Sequence, residues 1–225
     1  MEKKRIALLI PHTDITLETD LQKYLPDHYT LHTQRIWLND VSEAAEKKMV
    51  DIDFPKGIQY LKNITTFDTS VFGCTSASAV YGATGLKRIE QQLSNEFGCK
   101  SISALGAVLR QIKKLQAKRI ALFTPYTDSV NQFMINSLKD FGVNIVYSNG
   151  LDLINDLDIC KVEPSAIYDF IHSHKNHLKQ IETDLCFVSC TNLRAMEIRK
   201  DLENMLDINV ITSNYSIYQF ILDHD

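Results

Sequence analysis

Short apolar runs rich in β-branched residues alternate with longer segments of helical period along the whole chain. In the first part the pattern predicts strands near 5–10, 29–36, 68–72 and 100–103, with helices near 16–25, 41–62, 79–96 and 105–116. The second part repeats it, with strands near 118–123, 143–148, 184–188 and 208–211 and helices near 128–141, 164–180, 193–204 and 213–223. Strict strand and helix alternation predicts parallel sheets covered by helices, an α/β fold. The segment ALGAVLRQIKKLQA at 104–117 joins the parts as an amphipathic helix, not a linker, so the parts should pack tightly.

The chain also repeats itself in residues. RIALLIPHTD at 5–14 matches RIALFTPYTD at 119–128 at seven of ten positions, an offset of 114. GCTSAS at 73–78 echoes SCTNLR at 189–194 and aligns Cys74 with Cys190 at an offset of 116. An offset of domain length points to a duplicated half, not a solenoid repeat. The expected architecture is two similar Rossmann-like parallel-sheet α/β halves, 1–104 and 105–212, related by pseudo-two-fold symmetry with the site in the cleft between them. The C-terminal helix at 213–225 is expected to complete the first half.

Composition narrows the partners. With 44% hydrophobic residues, 8 Gly and 5 Pro among 225, the chain can bury one large or two small cores. A net charge of −4 gives no basic footprint for nucleic acid. The apolar run Ile6 to Ile10 is too short for a signal-peptide core and no later run reaches membrane-spanning length, so a cytoplasmic location off the membrane is expected. Five cysteines (Cys74, Cys99, Cys160, Cys186 and Cys190) lack a disulfide rhythm and are expected to be free thiols.

In parallel sheets ligands bind beyond the carboxyl ends of strands, where loops enter helix N-termini. Cys74 and Cys190 both follow apolar strand runs and precede small or hydroxyl residues, Thr75 and Ser76 after the first, Thr191 and Asn192 after the second. A helix N-terminus lowers a thiol pKa and can hold a carboxylate, so each motif offers a reactive sulfur and an anion cradle. A single cysteine at such a place is more often a buried structural residue, but matched positions in two halves favour a working pair. The loops IPHTD and TPYTD bring Pro11, Thr13, Asp14, Tyr126 and Thr127 to the same edge. Asp14 and Asp128 could serve the site or merely cap the following helices.

Other signals carry less. His172, His174 and His177 do not share a helical face, Gly82 to Gly85 lacks the strand-then-helix context of a nucleotide loop, and Cys99 and Cys160 have no partner in the pattern. Cys186 reads as core, and Trp37 as a core or interface residue.

Together GCTSAS, SCTNLR, TPYTDSVN and PHTDITLETD resemble the maleate cis-trans isomerase family, part of the aspartate/glutamate racemase superfamily alongside arylmalonate decarboxylase. The resemblance spans essentially the whole chain. Amino-acid racemases of this superfamily usually carry a histidine where this chain has Asn192, and arylmalonate decarboxylases keep one of the two cysteines. The resemblance implies a small carboxylate substrate, no cofactor or metal, and a homodimer or higher homo-oligomer. It implies that Cys74 adds to the substrate double bond and Cys190 moves a proton. Pro11, Thr75, Ser76, Tyr126, Thr191, Asn192 and, more loosely, Asn155 would then hold the carboxylates. Where the family pattern reads PSSNTT this chain has Asp14, a carboxylate in place of an amide. That departure keeps a two-thiol racemase of an acidic amino acid, a decarboxylase and an inactive acid-binding homologue open as alternatives.

Overall fold

A computed structural model describes residues 3–38 and 40–224; residues 1, 2, 39 and 225 lie outside it. The first half begins with β1 (Lys4–Pro11), α1 (Thr16–Tyr24) and β2 (Tyr29–Ile36), then α2 (Glu43–Lys48) and α3 (Phe54–Leu61). It continues with β3 (Thr69–Phe72), α4 (Thr75–Ala79), α5 (Gly82–Phe97), β4 (Lys100–Ser103) and α6 (Ala104–Leu115). The second half runs β5 (Ile120–Tyr126), α7 (Asp128–Asp140), β6 (Ile145–Leu153), α8 (Asp156–Ile159), α9 (Pro164–His172) and α10 (Lys175–Gln180). It ends with β7 (Leu185–Val188), α11 (Arg199–Leu206), β8 (Asn209–Thr212) and α12 (Ser213–Leu222).

Each half holds a four-stranded, all-parallel sheet with the same order, β2-β1-β3-β4 and β6-β5-β7-β8. The central strands explain the sequence pattern: helices cover both faces, so Ile6 to Ile10 and Ile120 to Phe123 are buried at every position instead of alternating.

Three predicted helices differ from the single elements expected. The 41–62 helix opens into a π-helical turn at Met49–Asp53, because Pro55 at the start of α3 has no N–H to return to the preceding turn. The 79–96 helix is α5, which starts at Gly82 with a left-handed φ of 57°, and the separate short α4 precedes it. The 164–180 helix breaks between Ser173 and His174. The chain after Cys190 passes through turns and a short 3-10 segment, Met196–Ile198, before α11.

The last helix of each half crosses to the other. Leu105, Val108 and Ile112 of α6 pack in the second-half core with Ile120, while Ile217, Phe220 and Ile221 of α12 pack in the first-half core with Ile6, Leu8 and Leu21. The halves are thus interlocked by burial. Trp37 does not join either core; it is 56% exposed and stacks on His12 at 4.1 Å between ring centroids.

Candidate active site

The carboxyl ends of β1, β3, β5 and β7 meet at one small internal cavity. Its wall carries Cys74, Thr75 and Ser76 from the first half with Pro11 and Asp14, and Tyr126, Cys190, Thr191 and Asn192 from the second. Asn155, expected to hold substrate, is missing from the wall. It is exposed, and its side chain caps α8 by accepting from the Leu157 N–H at 3.0 Å. The neighbouring Asp156 faces inward instead. Thr13 and Thr127 also lie off the wall, Thr13 donating its hydroxyl to Asp156. Only about 10 Å³ is open to the centre of a water molecule, room for one water. Larger open hollows elsewhere, such as that between Tyr168 and Met205, hold no matched chemistry.

Each sulfur sits where a strand ends. Gly73 lets β3 pass close under α1: a Cβ there would meet Leu17 Cδ2 at 2.4 Å. Cys74 then takes the N-cap position of α4 with extended backbone, φ −145°. Cys190 reaches the equivalent place differently, with a left-handed φ of 95° that a side chain rarely adopts. Both residues are buried, 5% and 6% exposed.

Burial overturns the expectation of acidic thiols. Both are pushed well above the ordinary thiol range, first by loss of hydration, then by nearby carboxyls, Glu46 for Cys74 and Asp156 for Cys190. Backbone N–H groups do act in the expected sense, Ala77 N–H at the start of α4 favouring the Cys74 thiolate and Tyr126 hydroxyl with Asn192 N–H favouring that of Cys190, but the expected helix start after Cys190 is a run of turns. One or two hydrogen bonds do not outweigh removal of a sulfur anion from water. The resting pair is therefore two neutral thiols.

Asp14 answers the choice between cap and site by doing both. Its Oδ1 accepts from the Thr16 and Leu17 N–H groups, each at 3.0 Å, while Oδ2 is buried with no hydrogen-bond partner among the described residues, and the residue lines the cavity. Burial, opposed by those bonds, raises its pKa to about 7. Asp128, at the start of α7, is exposed and lies off the cavity wall.

Asn192 is committed to structure. Its side-chain oxygen accepts from Ile15 N–H at 3.1 Å, and its amide nitrogen donates to the Asp156 carbonyl at 3.0 Å and carboxylate at 3.2 Å. The hydroxyls of Thr75 and Thr191 likewise stitch the halves, donating to Ser213 Oγ at 2.8 Å and the Gly73 carbonyl at 3.3 Å. Tyr126, 2% exposed, aims its hydroxyl at Cys190, and burial beside two sulfurs raises its own pKa.

Two carboxyls escaped the sequence reading. Asp156 lines the cavity beside Asp14, and among the described residues no Lys, Arg or His shares the wall. Glu46 is fully buried on α2 behind Cys74. Its signal was present: Glu46 lies three and four residues before the buried Met49 and Val50, on the apolar stripe of its helix. Among the described residues no group of three His, Cys, Asp or Glu side chains is arranged to hold a metal.

The family model for arylmalonate decarboxylase matches residues 6–219. The chain belongs to the arylmalonate decarboxylase family. Within it, this member is 22% identical to a maleate isomerase of Geobacillus stearothermophilus over 97% of this chain and 90% of that protein. It is 21% identical to one of Alcaligenes faecalis, over 98% and 91%. Among solved structures, the maleate isomerase Iso of Pseudomonas putida S16 has a TM-score of 0.85 at 18% identity, covering 99% of this chain and 92% of that one. A cysteine-to-serine variant of the Nocardia farcinica maleate cis-trans isomerase, with a covalently bound succinylcysteine intermediate, has a TM-score of 0.83 at 18% identity over 98% and 92%. Arylmalonate decarboxylase itself gives 0.72 at 16% identity over 97% and 91%. The family member has the two-halved α/β fold of these proteins.

Proposed function

We propose that this family member is a cofactor-independent cis-trans isomerase of a small unsaturated dicarboxylate, converting maleate to fumarate through a covalent adduct on Cys74. It would work in the cytoplasm as a homodimer or larger assembly. The observation that carries the reading is the pair of buried thiols, one from each half, on a single small cavity. The succinylcysteine seen in the Nocardia farcinica relative supports it.

In this reading the Cys74 thiolate attacks one alkene carbon of maleate. The double-bond electron pair moves to the neighbouring carbon and its carboxylate, and the Cys190 thiol delivers a proton there. The product is a succinyl thioether on Cys74 with Cys190 left as thiolate, stabilised by Tyr126 hydroxyl and Asn192 N–H. The former double bond is now single and rotates. Cys190 then removes a proton from the same carbon, the double bond re-forms, the carbon–sulfur bond breaks, and fumarate leaves with both cysteines in their starting states. Pro11 would shape the pocket, and the backbone N–H groups about Thr75, Ser76 and Thr191 would hold the carboxylates. Because the cavity holds about one water, the loops over it must part to admit substrate.

A second reading has its own support. Asp14 and Asp156 on a wall without a cation favour a substrate bearing an amine, hence two-thiol racemisation of an acidic amino acid. Proton NMR under reducing conditions separates the two. Growth of the fumarate signal from maleate supports isomerisation. Its absence at every enzyme concentration, with solvent deuterium entering aspartate or glutamate at Cα, supports racemisation instead.

A further inference from the structure

Both cysteine loops are tied to the start of one helix. Ser213 and Asn214, the first two residues of α12, are 0% and 1% exposed and lie off the cavity wall. Ser213 Oγ accepts at 2.8 Å from the hydroxyl of Thr75, the residue after Cys74. The Asn214 amide donates at 2.9 Å to the carbonyl of Thr191, the residue after Cys190, and its side chain is fixed by a second bond, to Asp20 of α1 at 2.7 Å. The Thr191 hydroxyl closes the circuit by donating to the Gly73 carbonyl at 3.3 Å.

The duplicated fold shows that these polar residues are not needed to build such a helix. In the first half the matching helix is α6, and its start has the same cap: Ser103 accepts from the Gly106 N–H as Thr212 accepts from that of Tyr215. Ser103 pairs with Phe72 and Thr212 with Val188, so Ala104 and Leu105 hold the places of Ser213 and Asn214. Both are apolar and fully buried. Burying a hydroxyl and an amide instead costs desolvation, and Asn214 Oδ1 finds no partner among the described residues. The polar groups present only in the second half are the ones that reach the residues following the two sulfurs.

We infer, resting on the isomerase reading in which the two thiols work as a pair, that Ser213 and Asn214 are positioning residues that set the Cys74 and Cys190 loops against each other. Cys190 depends on them more. Its left-handed φ of 95° is unfavourable for a side chain, and the next residue, Thr191, is held at both its carbonyl and its hydroxyl. Without Asn214 that backbone is free to relax, and the sulfur shifts relative to the carbon it must protonate and deprotonate. A displacement of about 1 Å in a reacting group costs on the order of a hundredfold in rate. The carboxylate contacts supplied by the first half stay in place, so the loss falls on the chemical step.

Steady-state conversion of maleate by Ser213→Ala and Asn214→Ala in the full chain, followed by proton NMR, tests the role. Ser213→Ala takes the side chain found at the matching place, Ala104, and carries the test should Asn214→Ala not fold. Each variant should lose about tenfold or more in kcat with KM within about twofold of wild type. Turnover like wild type, or a loss carried by KM alone, would overturn the assignment. Hydrogen exchange reads the same clamp without turnover. Segment 189–194 in Asn214→Ala and segment 73–78 in Ser213→Ala should exchange about tenfold faster, with β5 as in wild type. Unchanged exchange in both segments would also overturn it. Faster exchange in a protein whose wild type converts no maleate would instead count against the isomerase reading alone.

Discussion

The Asn192 amide donates to both the carbonyl and the carboxylate of Asp156, at 3.0 and 3.2 Å. This ties the residue two places beyond Cys190 to the short helix that presents Asp156. The same side chain accepts from Ile15 N–H at 3.1 Å, so one buried amide braces the loop after β1, α8 and the loop after β7. Asn192→Ala should leave the Ile15 N–H without its acceptor and the buried Asp156 carboxylate held by the Thr13 hydroxyl alone, and cost about 1–3 kcal/mol, measured by urea unfolding. Wild-type stability in that variant would show the brace to be idle.

Cys190 holds a φ of 95°, whereas its counterpart Cys74 is extended at −145°. A left-handed β-carbon stores strain of order 1 kcal/mol, which glycine avoids. Cys190→Gly should therefore be about 1 kcal/mol more stable than Cys190→Ala, despite glycine's greater unfolded entropy, while both lack activity. Alanine proving the more stable would place no strain at this position.

Asp14 binds its proton more tightly folded than unfolded, its pKa rising from 3.8 to about 7. As pH climbs through that window the unfolded chain releases the proton first, so this residue lowers stability progressively and its effect levels off above about 7. Asp14→Asn keeps an oxygen to cap α1 and does not titrate. Its stability relative to wild type should improve by a few kcal/mol, in order of magnitude, between pH 4 and pH 8. Asp20 and Glu46, raised to about 6 and about 8, tilt both proteins alike and cancel in the comparison. A difference independent of pH would contradict the burial of Asp14 as a neutral acid.

The architecture and most of the cavity wall were legible because they follow from periodicity and repetition. Buried central strands read as unbroken apolar runs, and the two copies of the first strand and of the cysteine loop fixed where the halves meet. Three things depended on distant contacts. The thiol pKa values follow burial set by both halves, which no local motif near Cys74 encodes. Asn155 and Asp156 are adjacent and both polar; which one turns inward is decided by the Asn155 cap and by Asn192, 36 residues along the chain. Glu46 looked like one more charge in EAAEKK, and only its place on the apolar stripe marked it as buried.

The pairing of Cys74 as nucleophile with Cys190 as proton carrier is tested most directly by trapping. Cys190→Ser, incubated with maleate and digested, should carry a succinyl group on the Cys74 peptide, because a serine hydroxyl is a poor base for the elimination that releases fumarate. Cys74→Ser should carry none. Absence of the adduct in Cys190→Ser, or its appearance on exposed or half-exposed thiols such as Cys99 or Cys160 instead, would contradict the mechanism.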